Sequence, residues 1–172
     1  MAAIAREAGV AQKTIYIAFD TKSGVLRALW NLRLRGDEED VPIGNRDWFK
    51  SVLEEPDPVR KLRLGGRNSL QIKLRVGPLF EVIRSGAAVD PDVAALWERI
   101  QTEMHANLRR VIENLAEMKA LRRGLGVDRA SDIFWALNHP DTWQMLVVRR
   151  GWTPEQYERW SVDTAIAQLI RD

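Results

Sequence analysis

Residues 2–30, AAIAREAGVAQKTIYIAFDTKSGVLRALW, decide the fold. Ala2 to Ala8 is a short helical run with Ile4 and Ala8 one turn apart on the same face. Gly9 ends it, because glycine takes the left-handed conformation that a helix needs just past its last turn. Val10 is expected to be the apolar turn residue that plugs the angle between two helices. Gln12 to Phe19 form the second helix, with Ile15 and Phe19 facing inward. Ala5, Gly9 and Ile15 have the spacing of a tight two-helix corner: Ala5 allows close approach, and Ile15 fills the inside. That pattern predicts a helix-turn-helix whose second helix fits a DNA major groove.

On that helix the polar candidates for DNA contact are Gln12, Lys13, Thr14 and Tyr16. A glutamine amide can read adenine by two hydrogen bonds, a lysine can reach guanine or phosphate, and a threonine either a base edge or a phosphate. Ala11 offers no side-chain N-cap, a contact commonly worth about 1 kcal/mol. Thr21 supplies one for the next helix, predicted over residues 22–35 with an apolar stripe through Val25, Leu26, Leu29, Trp30 and Leu32.

The stretch IAREAGV…KTIYIAFDTKSGVLRAL resembles the DNA-binding signature of TetR-like (tetracycline-repressor-like) transcriptional regulators. Ile4, Ala5, Ala8, Gly9, Val10, Thr14, Ile15, Tyr16, Phe19, Lys22 and Leu26 all fall in register with it. The segment DIFWALNHPDTWQMLVVRRGWTPEQYERW, residues 132–160, resembles the C-terminal body of one TetR-like branch. The resemblance implies an all-α chain: a helix-turn-helix joined to an α-helical body that binds an effector and dimerises. It makes Tyr16 and Lys22 phosphate anchors. It implies three partners: a double-stranded DNA operator, a small apolar effector and a second copy of the chain. In such regulators a longer first helix precedes the motif, whereas here Met1 stands where the second would start. The three-helix DNA-binding unit is therefore expected to be incomplete, with Ile4, Ala8 and Ile15 partly uncovered and DNA binding weakened. Ile17 and Ala18 replace groups that are often polar or aromatic in relatives.

Charge is uneven along the 172 residues. The first 35 carry six basic residues against two acidic ones, a net of +4, out of +2 for the whole chain, so the remainder is −2. A basic N-terminus on a mildly acidic body suits phosphate contact at one end. With no cysteine there is no disulfide framework, thiolate metal site or cysteine nucleophile. No apolar run approaches a membrane span, and the N-terminus lacks the order of a signal peptide, so a cytoplasmic protein without a membrane partner is expected. His105 and His139 lack a metal-ligand partner at helical spacing, Ser69 and Ser85 have no evident base, and no phosphate loop or nucleophile elbow occurs. Neither an enzyme nor a cofactor is expected.

Residues 36–46, GDEEDVPIGNR, form the best module boundary, dividing a DNA-binding region and connecting helix (1–35) from an effector-binding and dimerisation domain (36–172). Beyond it every segment is helical. A short helix spans 47–54. Asp57-Pro58 starts the next, in which Gly65-Gly66 allows close approach of a neighbour or ligand. Gly77-Pro78 should break or kink it, leaving a second short segment to Gly86. Asp90-Pro91 starts a helix over about 91–122, ended by Gly124. Others follow over 128–138 and after Pro140. The last opens on a Thr153–Gln156 capping box, with Trp152 and Tyr157 as hydrophobic staple.

Seven tryptophans are many for a chain of this size. Trp97, Phe80, Met104, His105 and Trp135 are the candidate effector pocket, apolar with few polar groups, and Asn68 and Gln71 are candidates to point into it. The 128–138 and final helices carry surplus apolar positions, and the resemblance, in which equivalent helices pair across a two-fold axis, makes Ile133, Phe134, Leu137, Trp160, Ile166 and Ile170 the candidate dimer interface. Together with these features, the resemblance implies a ligand-responsive repressor that grips a palindromic operator as a dimer and is released by a small apolar effector. The alternative is an all-α dimeric small-molecule-binding or interaction module that has lost DNA binding.

Overall fold

A computed structural model describes residues 1–36 and 41–171; the acidic centre of the predicted boundary, 37–40, lies outside the described residues. The first three helices are α1 (Ala2–Glu7), α2 (Gln12–Phe19) and α3 (Lys22–Arg35). A 3-10 turn (Ile43–Asn45) leads into α4 (Asp47–Glu54), α5 (Pro58–Ala87), α6 (Pro91–Glu117) and α7 (Val127–Asn138). α8 (Pro140–Trp143) runs into a π-helical turn (Gln144–Arg149), and α9 (Pro154–Leu169) closes the order. The fold is all-α, with one isolated antiparallel bridge, Leu121 to Ile170, among the described residues.

The helix ends follow local chemistry. Gly9 sits at φ +67°, Val10 N–H donates to Ala5 C=O and Gly9 N–H to Arg6 C=O. That pair of bonds is a Schellman motif, and it turns α1 into α2. Asp57 and Asp90 cap α5 and α6 through their carboxylates, and Thr153 and Gln156 form the reciprocal capping box of α9. Trp152 meets Trp160 edge to face at 5.9 Å, while Tyr157, buried, meets Trp143 at 5.1 Å.

Two helices differ from the sequence expectation. α5 runs unbroken through Pro78. Proline removes one hydrogen bond, to Leu74 C=O, but Leu74 and Pro78 are both exposed, so water can satisfy that carbonyl. Val76, Phe80 and Ile83 on the opposite face are buried and hold both halves in line. α6 stops at Glu117 instead of continuing to 122. Lys119 takes φ +54°, and Ala120 N–H donates to Leu115 C=O, a second Schellman turn with lysine in the usual place of glycine. The freed chain then pairs with the C-terminus, Arg122 N–H donating to Leu169 C=O and Arg171 N–H to Ala120 C=O.

The core has two parts. Phe49, Val52, Leu62, Ile112, Leu115 and Leu169 join α4, α5, α6 and α9. Trp30, Val76, Phe80, Ile83 and Leu96 join α3 to α5 and α6. Helix α3 thus belongs to the corner at its start and to the body at its end. The Gly65-Gly66 pair splits its roles: a Cβ on Gly66 would stand 2.2 Å from Val162 Cγ2 of α9, whereas one on Gly65 would meet Val52 at an ordinary 3.7 Å.

Candidate nucleic-acid interface and ligand cavity

Ala5 and Ile15 are buried inside the α1–α2 corner, as its spacing requires. Ile4 and Ala8 are exposed, but Ile15, at 7% exposure, is not uncovered. The chain's own corner suffices to bury it. Val10 is 41% exposed and does not plug the angle, because the Schellman turn directs it outward. Gln12, Lys13, Thr14 and Tyr16 are all exposed on α2, and Lys22 is exposed at the first position of α3. Ala11 makes no side-chain cap. The turn to α3 is tight: Thr21 Oγ1 accepts from Gly24 N–H at 3.0 Å, and a Cβ on Gly24 would lie 1.9 Å from Phe19 C=O. Ser23 Oγ donates to Asp92 Oδ2 at 3.3 Å, tying this turn to the start of α6.

Between the two core clusters lies a cavity of about 650 Å³. Trp30, Leu34, Phe80, Ile100, Met104 and Phe134 are among its walls, with Ile43, Trp48 and Phe49 closing a further side. Phe80 and Met104 were expected there. Trp97, His105 and Trp135 were also expected, but they do not line it. They sit on a neighbouring stripe of α6 and on α7, packed with His139: Trp97–His139 at 6.4 Å, His105–Trp135 at 6.1 Å and Trp135–His139 at 4.6 Å. Residues 97, 101 and 105 follow one another at i+4, about a quarter turn around α6 from 100, 104 and 111, which face the cavity. Asn68 and Gln71 do not line it either: Asn68 donates toward Trp48 C=O at 3.5 Å, and Gln71 is exposed.

The polar groups in the wall are ones the sequence reading passed over. Lys61 is fully buried and donates to Val52 C=O (3.0 Å), Leu53 C=O (2.6 Å) and Asn114 Oδ1, closing off the end of α4. Lys73 is 6% exposed, and burial pushes its ammonium pKa down to about 7. Its Nζ donates to Ser69 Oγ at 2.6 Å, and Ser69 donates to Asn138 Oδ1 at 3.1 Å. One signal was available. Ser69, Lys73, Val76, Phe80 and Ile83 follow a 4-3-4-3 spacing, which places a lysine on an apolar stripe. Beside it burial lowers the His139 pKa, and Tyr157, its phenol raised by burial, donates to Leu137 C=O at 2.6 Å.

Of the six candidate dimer residues, Phe134 and Ile170 are buried in the chain's own core, and Phe134 also faces the cavity. Neither is available to a partner. Ile133, Leu137, Trp160 and Ile166 are half-buried. Trp160 lines a shallow groove on α9 with Trp152, Thr164 and Ala167.

Among the described residues no helix is long and apolar enough to cross a membrane, and no group of three metal-ligating side chains occurs. Residues 1–29 match the family model described as bacterial regulatory proteins, tetR family. No curated protein and no solved structure matches the chain.

Proposed function

We propose that the chain, whose residues 1–29 match the tetR family model, is a DNA-binding transcriptional regulator, a ligand-responsive repressor working as a dimer inside the cell. One observation carries the ligand response: α3 serves both sites. Its first residue is Lys22, beside the groove-reading helix, and Trp30, Asn31, Leu34 and Arg35 of its second half line the cavity. A molecule seated there presses on the lever that sets the recognition helix. If it favours the arrangement in which two heads are out of register, DNA affinity falls.

In this reading Gln12, Lys13 and Thr14 meet base edges or phosphate, and Tyr16 and Lys22 hold phosphate. The dimer uses the exposed face of α7 and α9 around Trp160, with Ile133, Leu137 and Ile166 behind it. Two heads related by a two-fold axis read half-sites about 34 Å apart.

Selection from random double-stranded DNA tests this reading. The expected result is an enriched inverted repeat whose affinity falls steeply with salt, and whose binding Lys22→Ala and Tyr16→Ala weaken without unfolding the protein. No enrichment would end the repressor reading. Ala167→Arg, at an exposed site, is expected to turn the dimer into monomer in sedimentation with an unchanged melting temperature. A second reading, a dimeric interaction module without DNA binding, draws on Ile17, an isoleucine 77% exposed on α2 beside Tyr16. It is favoured if the Lys22 and Tyr16 variants change nothing.

A further inference from the structure

Most of the cavity wall is apolar, yet it contains a buried lysine whose charge no carboxylate among the described residues answers. The three donors of the Lys73 ammonium meet Ser69 Oγ at 2.6 Å and the face of the Tyr157 ring, 5.6 Å from its centroid. No ion pair among the described residues joins Lys73 to a carboxylate. Beyond Ser69 the hydrogen bonds run away from the ammonium, through Asn138 Oδ1, and Asn138 Nδ2 is itself committed to Phe134 C=O at 2.9 Å. Lys61, in the same wall, shows the contrast: its ammonium is occupied by three acceptors of the protein. Burying a cation without a partner is costly, and an anion placed against the ammonium would offset that cost.

We infer that the cavity takes an amphipathic monocarboxylate, an alkyl or aryl body ended by one carboxylate, with the carboxylate seated on Lys73 beside Ser69. This deepens the ligand-responsive reading above and rests on it. Of the two buried ammonium groups in the wall, Lys73 is the one whose donors protein acceptors do not fill, and it matches one negative charge. Arg35, also in the wall, donates Nε to Asn31 C=O at 3.1 Å. Arg110 lines the cavity too, but it donates to Gly44 C=O at 2.8 Å and is exposed. The lining's single acid among the described residues, Glu103, is also exposed, so it does not oppose an anion at depth. Trp30, Trp48, Phe80, Ile100 and Met104 provide the surface for the apolar body, and about 650 Å³ is within the usual range for a small-molecule site.

The test is titration calorimetry with two matched pairs, 1-naphthoate against 1-naphthamide and decanoate against decan-1-ol, on the full chain and on Lys73→Met. The expected result is that carboxylates bind the parent protein at least about 30-fold more tightly than their neutral partners. Lys73→Met should erase that preference while leaving the neutral ligands unchanged. The comparison within the parent protein stands even if the variant fails to fold. Equal binding of neutral and charged partners would overturn the carboxylate assignment and leave the cavity a ligand site. A preference that survives Lys73→Met would overturn it as well, placing the charge reader elsewhere. Binding by none of the four compounds would also overturn it. Loss of selected-DNA binding, measured separately, would be a failure of the repressor reading alone.

Discussion

Two lysines on one helix have opposite energetic meanings. Lys61 and Lys73 are both buried on α5, but Lys61 meets three protein acceptors and Lys73 only Ser69 Oγ among the described residues. Replacing it with methionine would leave Val52 C=O, Leu53 C=O and Asn114 without their partner. Lys61→Met is expected to lose about 3 kcal/mol in urea denaturation, the cost of stranded buried acceptors. Lys73→Met should do the reverse. Burial holds the Lys73 pKa at about 7, against about 10.4 in an unfolded chain. Below pH 7 both states carry the proton and the full cost of the buried charge is present. Between 7 and about 10 only the unfolded chain keeps it, so the parent's stability rises with pH through that window. Burial and the neighbouring Lys73 hold the His139 pKa below its ordinary value, so the comparison is made from pH 7 upward, above that value. Lys73→Met should be the more stable at pH 7, with a margin that shrinks by about 2 kcal/mol at pH 9. A margin independent of pH would show that Lys73 is not buried as a cation. The importance of these residues was hard to read in advance, because a lysine in a helix is ordinarily on the solvated face. Only the position of Lys73 on the stripe of Val76, Phe80 and Ile83 marked it out. The exposed set Gln12, Lys13, Thr14, Tyr16 and Lys22 was easier, since a corner this short fixes which side chains point away from Ala5 and Ile15.

At the scale of elements, local signals carried most helix starts and failed at two points that depend on neighbours. Asp57, Asp90, Thr21 and Thr153 cap their helices through side chains that the sequence displays. The continuity of α5 across Pro78 depends on burial of Phe80 and Ile83 against α3 and α6, which no local pattern contains. The early end of α6 depends on Lys119 entering the left-handed region so that residues 120–122 can meet the C-terminus. The aromatic residues of α6 were assigned to the cavity for a similar reason. Periodicity says that Trp97 and Ile100 both face inward, but not that one meets His139 while the other faces the void. The Gly65-Gly66 pair makes the point testable. Gly66→Ala forces a methyl into Val162, whose branched side chain has little freedom to yield, and should cost about 1–3 kcal/mol. Gly65→Ala finds ordinary packing and should be neutral or stabilising by up to about 1 kcal/mol. Thermal denaturation of the two variants compares them directly, and equal effects would mean that α9 does not cross α5 at Gly66.

Across the whole molecule, the cavity and the α1–α2 corner share α3. Its two ends are held differently. At the start, Ser23 bonds Asp92 of α6. At the end, Arg75 of α5 donates Nε to Arg33 C=O at 3.1 Å and Nη2 to Leu34 C=O at 3.2 Å. In the middle, Trp30 packs against Phe80 at 5.6 Å in the cavity wall. In the proposed reading a ligand that displaces Trp30 would move a rod anchored at both ends, and the Arg75 clamp would favour pivoting over sliding. The proposed coupling would be reciprocal: whatever factor the ligand takes from DNA affinity, DNA takes from ligand affinity. For a compound shown to occupy the cavity, that factor is expected within about 5- to 150-fold. Arg75 does not line the cavity. Arg75→Met should therefore leave ligand affinity within about threefold of the parent while bringing the coupling factor close to one. Fluorescence anisotropy on labelled operator with and without ligand, and ligand titration with and without operator, measure both sides of the cycle. An unchanged factor in Arg75→Met would show that the end of α3 does not transmit the ligand's effect, leaving the Ser23–Asp92 contact as the path.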